Sequence, residues 1–279
     1  MDGTATRYLE AGEGPSVLLL PGEGGVADQW HQTLEGLAGS HRAVAVDFPG
    51  YGYTDPIPDS SPVKFAAFVW KFAQEVGVEF PAVIGHSLGG AVAVHLALQR
   101  PGGLSSLVLV SSAGMGRVIN PGMVVQAVTP LGDLTILLVR TLPFGPELLV
   151  SSLAVLGACR PWRIPRPWWS SQVKSTYAPE ALPTTLRSQR QSVGLFGQRD
   201  LLVERLPELS IPVLVTWGVQ DLVVPFWQAI SARRNLRHGE LKLIMCSGHL
   251  MPLEAVDRFL GVVRPFLARA GGDTSEGGR

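Results

Sequence analysis

Ser87 stands in the stretch "VIGHSLGGAVAVH" (Val83–His95), with Gly85 two residues before it and Gly89 two residues after. A serine hydroxyl attacks a carbonyl efficiently only when a base takes its proton, and that base needs an orienting acid. Two other segments offer these groups. In "PVLVTWGVQDLVVP" (Pro212–Pro225), Asp221 lies just past an apolar run. In "LKLIMCSGHLMPLE" (Leu241–Glu254), His249 follows another such run and the small turn Ser247-Gly248. Serine, aspartate, histidine is the chain order of a nucleophile-elbow architecture.

With 32 glycines in the chain, a G-x-S-x-G match alone says little, and its position gives it weight. It joins an apolar β-branched run to an apolar helix-like segment. At such a turn a side chain on either flanking glycine would meet backbone, and the helix N-terminus directs positive partial charge at the serine. The competing groups fit less well. His95 falls inside the following helix and reads as a packed residue, and His86 is expected to be held pointing away by the turn that exposes Ser87. Asp47 and Asp200 do not follow the strand beside the one that carries His249, and the turn Ser111-Ser112-Ala113 has no carboxylate. Ser87, Asp221 and His249 are therefore the expected catalytic residues.

Those residues need a scaffold. Short apolar runs recur at Ser16–Leu20, Ala43–Val46, Ala82–Ile84, Leu107–Val110, Ile211–Thr216 and Leu241–Met245. Runs without alternation suit strands buried on both faces, as in a parallel sheet. Helix-length segments lie between them: Trp30–Ala38, Val63–Val76, Leu88–Arg100, Phe226–Leu236 and Leu253–Leu267, the last expected to bend or end at Pro265. The alternation predicts an α/β fold with a doubly wound, mostly parallel sheet. From about Ala113 to Leu206 prolines and tryptophans break the rhythm, and Val124–Val128 and Leu134–Leu142 read as short helices. So long a gap between strands predicts an inserted helical subdomain. The expected division is a core of residues 1–112 and 207–270, an insertion of 113–206, and a disordered tail of 271–279.

A chain of 279 residues that is 46% hydrophobic and 16% charged can bury a sizeable core. Its 23 basic and 23 acidic residues cancel and form no basic stripe, so nucleic acid is not an expected partner. Cys159 and Cys246 lack metal-ligand spacing and read as two buried free thiols; no metal is expected. The start, Met1-Asp2-Gly3-Thr4, lacks the pattern of a signal peptide, and no apolar run approaches the ~20 residues that cross a bilayer. The expectation is a soluble, cytoplasmic protein with no membrane partner.

On these residues, and on "DFPGYGYTD" (Asp47–Asp55) after the second main strand, the sequence resembles the α/β-hydrolase superfamily in its capped serine-hydrolase branch. The resemblance covers about 4–112 and 206–268. It implies an α/β-hydrolase fold with a helical cap, a Ser87–His249–Asp221 triad, an acyl-enzyme intermediate and no cofactor. It also implies an oxyanion hole formed by the backbone N–H groups of Leu88 and Glu23. The loop that carries Glu23 reads "PGEGG", where relatives usually begin His-Gly, so a bracing histidine is lost and a carboxylate is gained. Either Glu23 turns outward or pairs with a neighbour, or it selects against anionic substrates or acts as an extra acid.

Serine at position 87 disfavours the haloalkane dehalogenases and epoxide hydrolases of this fold, which use aspartate there. His86 lowers the case for hydrolases of carbon–carbon bonds, which often carry asparagine before the serine. The expected activity is hydrolysis of an ester, thioester or lactone of a small hydrophobic molecule. The alternatives are C–C bond cleavage, an acyl transferase, a cyclase or a cofactor-free peroxidase on the same scaffold, or a ligand-binding receptor. The Leu-, Val- and Trp-rich insertion predicts an apolar roof if it folds back over Ser87, unless its tryptophans only pack its own core.

Overall fold

The computed structural model describes residues 3–272. Its main sheet has seven strands in the order β1-β3-β2-β4-β5-β8-β9. They are β1 (Tyr8–Ala11), β2 (Ser16–Leu20), β3 (Arg42–Val46), β4 (Ala82–His86), β5 (Ser106–Val110), β8 (Val213–Gly218) and β9 (Gly239–Ile244). All pair in parallel except β1, which runs antiparallel to β3. The continuous apolar runs read in the sequence are the parallel strands. Val17–Leu20 and Val83–Ile84 are fully buried because helices cover both faces.

On one face lie α2 (Pro62–Glu75), α3 (Leu88–Gln99) and α9 (Trp227–Asn235), packed through Phe65, Phe72, Val92, Leu96 and Ala229. On the other lie α1 (His31–Leu37) and α11 (Val256–Gly272), packed through Trp30, Leu34, Phe259 and Val263, with the short α10 (Met251–Glu254) between β9 and α11. The registers Leu20↔Gly85, His86↔Val110, Val110↔Thr216 and Gly218↔Ile244 bring the carboxyl ends of five parallel strands level. The loops leaving that edge are the ones that carry the expected site, as in open α/β sheets generally.

Helices α4 (Pro121–Val128), α5 (Leu131–Thr141), α6 (Gly145–Gly157), α7 (Arg166–Thr176) and α8 (Ala181–Ser192) form the cap inserted between β5 and β8. It ends in a small antiparallel hairpin, β6 (Val193–Gly194) with β7 (Gly197–Gln198). Asn120 caps α4 by accepting the Gly122 N–H at 2.9 Å, and Pro121 occupies the first helical position, which needs no N–H. The chain enters and leaves the cap side by side. Gln198 Oε1 accepts the Gly114 N–H at 2.7 Å, Gln198 Nε2 donates to the Gly116 carbonyl at 2.7 Å, and the Val203 N–H reaches the Gly114 carbonyl at 3.0 Å.

Several expectations are corrected. Pro265 does not end the last helix, which continues to Gly272. The carbonyl it frees belongs to Gly261, which like Pro265 is exposed to water, while Phe259, Val263, Phe266, Leu267 and Ala270 hold the helix by burial. Gly271 and Gly272 belong to that helix, and the rest of the expected tail lies outside the described residues. The two thiols are free but not buried: Cys159 is half-buried, and Cys246, at φ +50° in the turn leaving β9, is exposed. β1 was not foreseen, because it is a half-exposed edge strand without an apolar run. Among the described residues no single helix is long and apolar enough to cross a membrane.

Candidate active site

Ser87 sits between β4 and α3 with φ +53° and ψ −116°, a conformation strained for a residue with a side chain. The turn is over-determined by close approach. A Cβ on Gly85 would strike the Gly89 carbonyl, and one on Gly89 would strike the carbonyls of Leu20 and Pro21. The backbone bonds Ser87 N–H to Val110 C=O (2.9 Å) and Ala113 N–H to Ser87 C=O (3.0 Å) tie the turn to the end of β5. Ser87 is thereby half-exposed between neighbours that are buried, at the mouth of α3, whose first N–H groups have no intrahelical acceptors.

Asp221 and His249 are brought together from the turns after β8 and β9. Asp221 Oδ2 lies 2.8 Å from His249 Nδ1, while Oδ1 accepts the N–H groups of Val223 (2.8 Å) and Val224 (2.9 Å). Burial opposes ionisation of Asp221. The His249 charge and hydrogen bond, with the two backbone donors, outweigh it and hold the carboxyl below its usual range. Close contact between the loops requires Gly218, where a Cβ would collide with the carbonyls of Ser247 and Gly248. Gln220 accepts the Ser247 N–H through its side chain (3.1 Å) and donates its own N–H to the Ser247 carbonyl (2.9 Å).

Ser87, His249 and Glu23 all line one cavity of about 360 Å³ between the sheet edge and the cap. Its cap side is largely apolar, with Met123, Ile136, Leu149, Leu153, Leu156 and Leu186. Of the insertion's tryptophans, Trp168 is buried against Val150, Ala154 and Ile164 and also reaches the cavity, whereas Trp162 is 77% exposed. The "PGEGG" loop turns by a bond from the Gly25 N–H to the Gly22 carbonyl (3.0 Å), which leaves Glu23 and Gly24 at its apex. Gly22 packs so closely that a Cβ there would lie 2.9 Å from His86 Nδ1 and 3.5 Å from Ser87 Cβ.

Glu23 does not turn outward; it pairs with neighbours, and these are uncharged. It faces Gln189 and Ser188 of α8, and burial pushes its carboxyl up to about 7 against the pull of those two partners. His86 does not point away either. It is 2% exposed, lines the cavity and lies with its ring 4.8 Å from that of His249. Its Nε2–H donates to the His249 carbonyl (2.9 Å), so its Nδ1 is the acceptor for Gln29 Nε2 (2.9 Å). Burial, reinforced by the nearby His249 charge, lowers His86 to about 3 and keeps it neutral.

Gln29 and Glu254 were not foreseen. Glu254, 3% exposed, accepts the N–H groups of Gly248 (2.6 Å), Arg160 (2.6 Å) and Cys159 (3.2 Å), and so binds the His249 loop to the end of α6. A carboxylate inside the apolar stretch "LMPLE" was the available sign. The residues set aside have other partners. His95 pairs with Asp200, and Asp47 accepts the Ala27 and Tyr53 N–H groups and an Arg7 contact. No group of three or more His, Cys, Asp or Glu side chains among the described residues is placed to hold a metal ion.

Residues 15–256 match the family model described as "alpha/beta hydrolase fold". The chain belongs to the α/β-hydrolase fold family. This α/β hydrolase is 30% identical over 272 residues to the dihydrolipoyllysine-residue acetyltransferase component of the acetoin cleaving system of Cupriavidus necator, spanning 96% of this chain and 67% of that protein. It is 28% identical over 265 residues to the pimeloyl-[acyl-carrier protein] methyl ester esterase of Vibrio parahaemolyticus, across 94% of this chain and 98% of that one. A thermophilic esterase from Thermogutta terrifontis shares its fold with a TM-score of 0.78 at 21% identity, covering 95% of this chain and 93% of the other.

Proposed function

We propose that this α/β hydrolase is a serine esterase that cleaves a carboxylic ester of a small hydrophobic molecule through an acyl-enzyme on Ser87. The observation that carries the reading is the buried Asp221–His249 pair, 2.8 Å apart, whose histidine lines the same cavity as the strained Ser87 turn. The kinship with a methyl ester esterase supports an ester as the scissile group.

In this reading His249 Nε2 takes the Ser87 proton as Oγ bonds to the carbonyl carbon, and the carbonyl π electrons move onto oxygen. Asp221 fixes the imidazole with its Nδ1–H toward Oδ2 and stabilises the cation. The N–H groups of Leu88 and Glu23 donate to the oxyanion. The carbonyl re-forms, the C–O bond to the alcohol breaks, and the alcohol leaves with the proton from His249. Water, deprotonated by His249, then attacks the acyl carbon, and Ser87 departs reprotonated. The largely apolar cap wall favours a hydrophobic acyl or alcohol group.

The test is a fluorophosphonate probe followed by peptide mass analysis, together with p-nitrophenyl esters of increasing chain length. The expected result is a single adduct on Ser87, absent in Ser87→Ala, and a preference for acyl chains longer than acetyl. Well-folded protein that neither labels nor turns over any ester overturns the proposal.

A further inference from the structure

The cavity is chemically two-ended, and the function proposed above uses only its apolar end. The other end surrounds the Glu23 side chain. Gln172 and Thr185 line the cavity with it, as does Gln189 of α8. Gln172 donates its Nε2–H to the Gly24 carbonyl at 2.7 Å, which fixes the amide and leaves its buried Oε1 without a donor. Thr185 spends its hydroxyl proton on the Ala181 carbonyl at 2.8 Å and so offers only lone pairs. Tyr51, fully buried behind Glu23, has a hydroxyl without a well-formed hydrogen bond. Of the polar groups that line the cavity here, Gln172 Oε1 and the Thr185 hydroxyl are left as acceptors, while the donor side of Gln189 is turned to Glu23 itself.

No cationic side chain among the described residues holds the charge of Glu23; what surrounds it is burial and the neutral Gln189 and Ser188. A buried carboxyl in this state is costly to ionise without a counter-charge, and its raised proton affinity expresses that cost. A ligand that brings a positive donor supplies what the protein withholds. A ligand that brings a carboxylate meets acceptors on several sides and like charge on Glu23. The Glu23 loop also packs beside Ser87, since a Cβ on the adjacent Gly22 would lie 3.5 Å from Ser87 Cβ, and both residues line the same cavity.

Resting on the esterase reading, we infer that the substrate is an ester with an apolar body and an ammonium-bearing head, the head seated between Glu23 and Gln172. Charge-assisted hydrogen bonding of this kind corresponds to roughly a 10- to 100-fold preference over an isosteric neutral group.

The experiment compares p-nitrophenyl esters of equal length ending in ammonium, methyl or carboxylate, and a second series carrying the same groups on the alcohol side. In one series or the other, wild-type kcat/KM should rank ammonium first and carboxylate last. Glu23→Gln, which keeps the backbone N–H, should cut the ammonium-to-methyl ratio by about 10-fold or more. An unchanged ratio in both series overturns the inference. If Glu23→Gln does not fold, wild-type calorimetry decides: an alkylammonium must bind at least about 10-fold tighter than the alkyl carboxylate of equal length. Binding is read without turnover and Ser87 labelling is read separately, so failure of the esterase reading and failure of this subsite are told apart.

Discussion

Gln29 bridges the loop after β2 to the residue before Ser87: its Nε2 lies 2.9 Å from His86 Nδ1, and its Oε1 accepts the Gly22 N–H at 3.4 Å. With the His86 Nε2–H donating to the His249 carbonyl at 2.9 Å, one buried chain of hydrogen bonds joins the Glu23 loop, the Ser87 turn and the His249 loop. A glutamine six positions after Glu23 thus braces the loop that lacks the usual histidine. Gln29→Leu keeps the volume and leaves the Gly22 N–H and His86 Nδ1 unsatisfied, at about 1–3 kcal/mol for each buried group. The expected outcome is a lower melting temperature and a fall in kcat larger than any rise in KM. Wild-type kinetics in a variant with a lowered melting temperature would mean that the bridge stabilises without positioning.

Asp221→Asn tests the acid. Two backbone N–H groups, from Val223 and Val224, already demand an acceptor at Oδ1. The asparagine carbonyl must take that place, so its NH₂ faces His249 Nδ1 and drives the imidazole into the wrong tautomer. Ester hydrolysis should lose about 10⁴-fold in kcat, as triads generally do on this change. Steady-state kinetics on the best ester of the panel checks it.

His86 and Glu23 have opposite effects on stability as pH changes. His86 titrates near 6.5 when unfolded and about 3 in the fold, so the unfolded chain takes up an extra proton below 6.5 and stability falls with acidification. Glu23 titrates near 4.5 when unfolded and about 7 in the fold, so between those values the native chain holds the extra proton and stability rises with acidification. From pH 6.5 to 4.5 the two slopes cancel. Below 4.5 the Glu23 contribution is complete while the His86 loss continues, joined by Asp221, whose depressed carboxyl loses its stabilising charge as pH falls below the ordinary aspartate range. In Glu23→Gln the acid loss should begin near 6.5 instead, at about 1.4 kcal/mol per pH unit for the single uncompensated proton. Urea titrations from pH 4 to 8 measure it; identical profiles would refute it.

Gly89→Ala tests the sharpness of the Ser87 turn. Its Cβ would meet two backbone carbonyls, which cannot rotate aside as a flexible side chain can. Overpacking of this kind costs about 1–3 kcal/mol, equivalent to several degrees in melting temperature, and should lower Ser87 labelling in protein that still folds. Gly261→Ala, with open space around its Cβ inside α11, is the control expected to leave Ser87 labelling unchanged and the melting temperature unchanged or slightly raised.

The parallel strands were legible because burial on both faces leaves an uninterrupted apolar signature, as in Val17–Leu20 and Leu107–Val110. Asp221 and His249 were legible because each follows such a strand, and strand ends fix the sheet edge where they meet. β1 left no signature, since Tyr8 and Glu10 face water. Gln29, His86 and Glu254 act through partners distant in sequence, with 57 residues separating Gln29 from His86 and 95 separating Cys159 from Glu254. No local pattern encodes such contacts. Pro265 misled because a local rule about helices was overridden by the burial of Phe259, Val263 and Phe266.

The clasp of Gln198 on Gly114 and Gly116 has an evolutionary corollary. Because the incoming and outgoing chains are stitched together at the root of the cap, its helices can vary where they face one another and the cavity, provided that Glu254 still holds the N–H groups of Cys159 and Arg160 and Asn120 still meets the Leu222–Val223 loop. A scaffold wired in this way acquires new chemical appetites through the cap residues that face the cavity, while those few anchors and the reactive machinery are inherited.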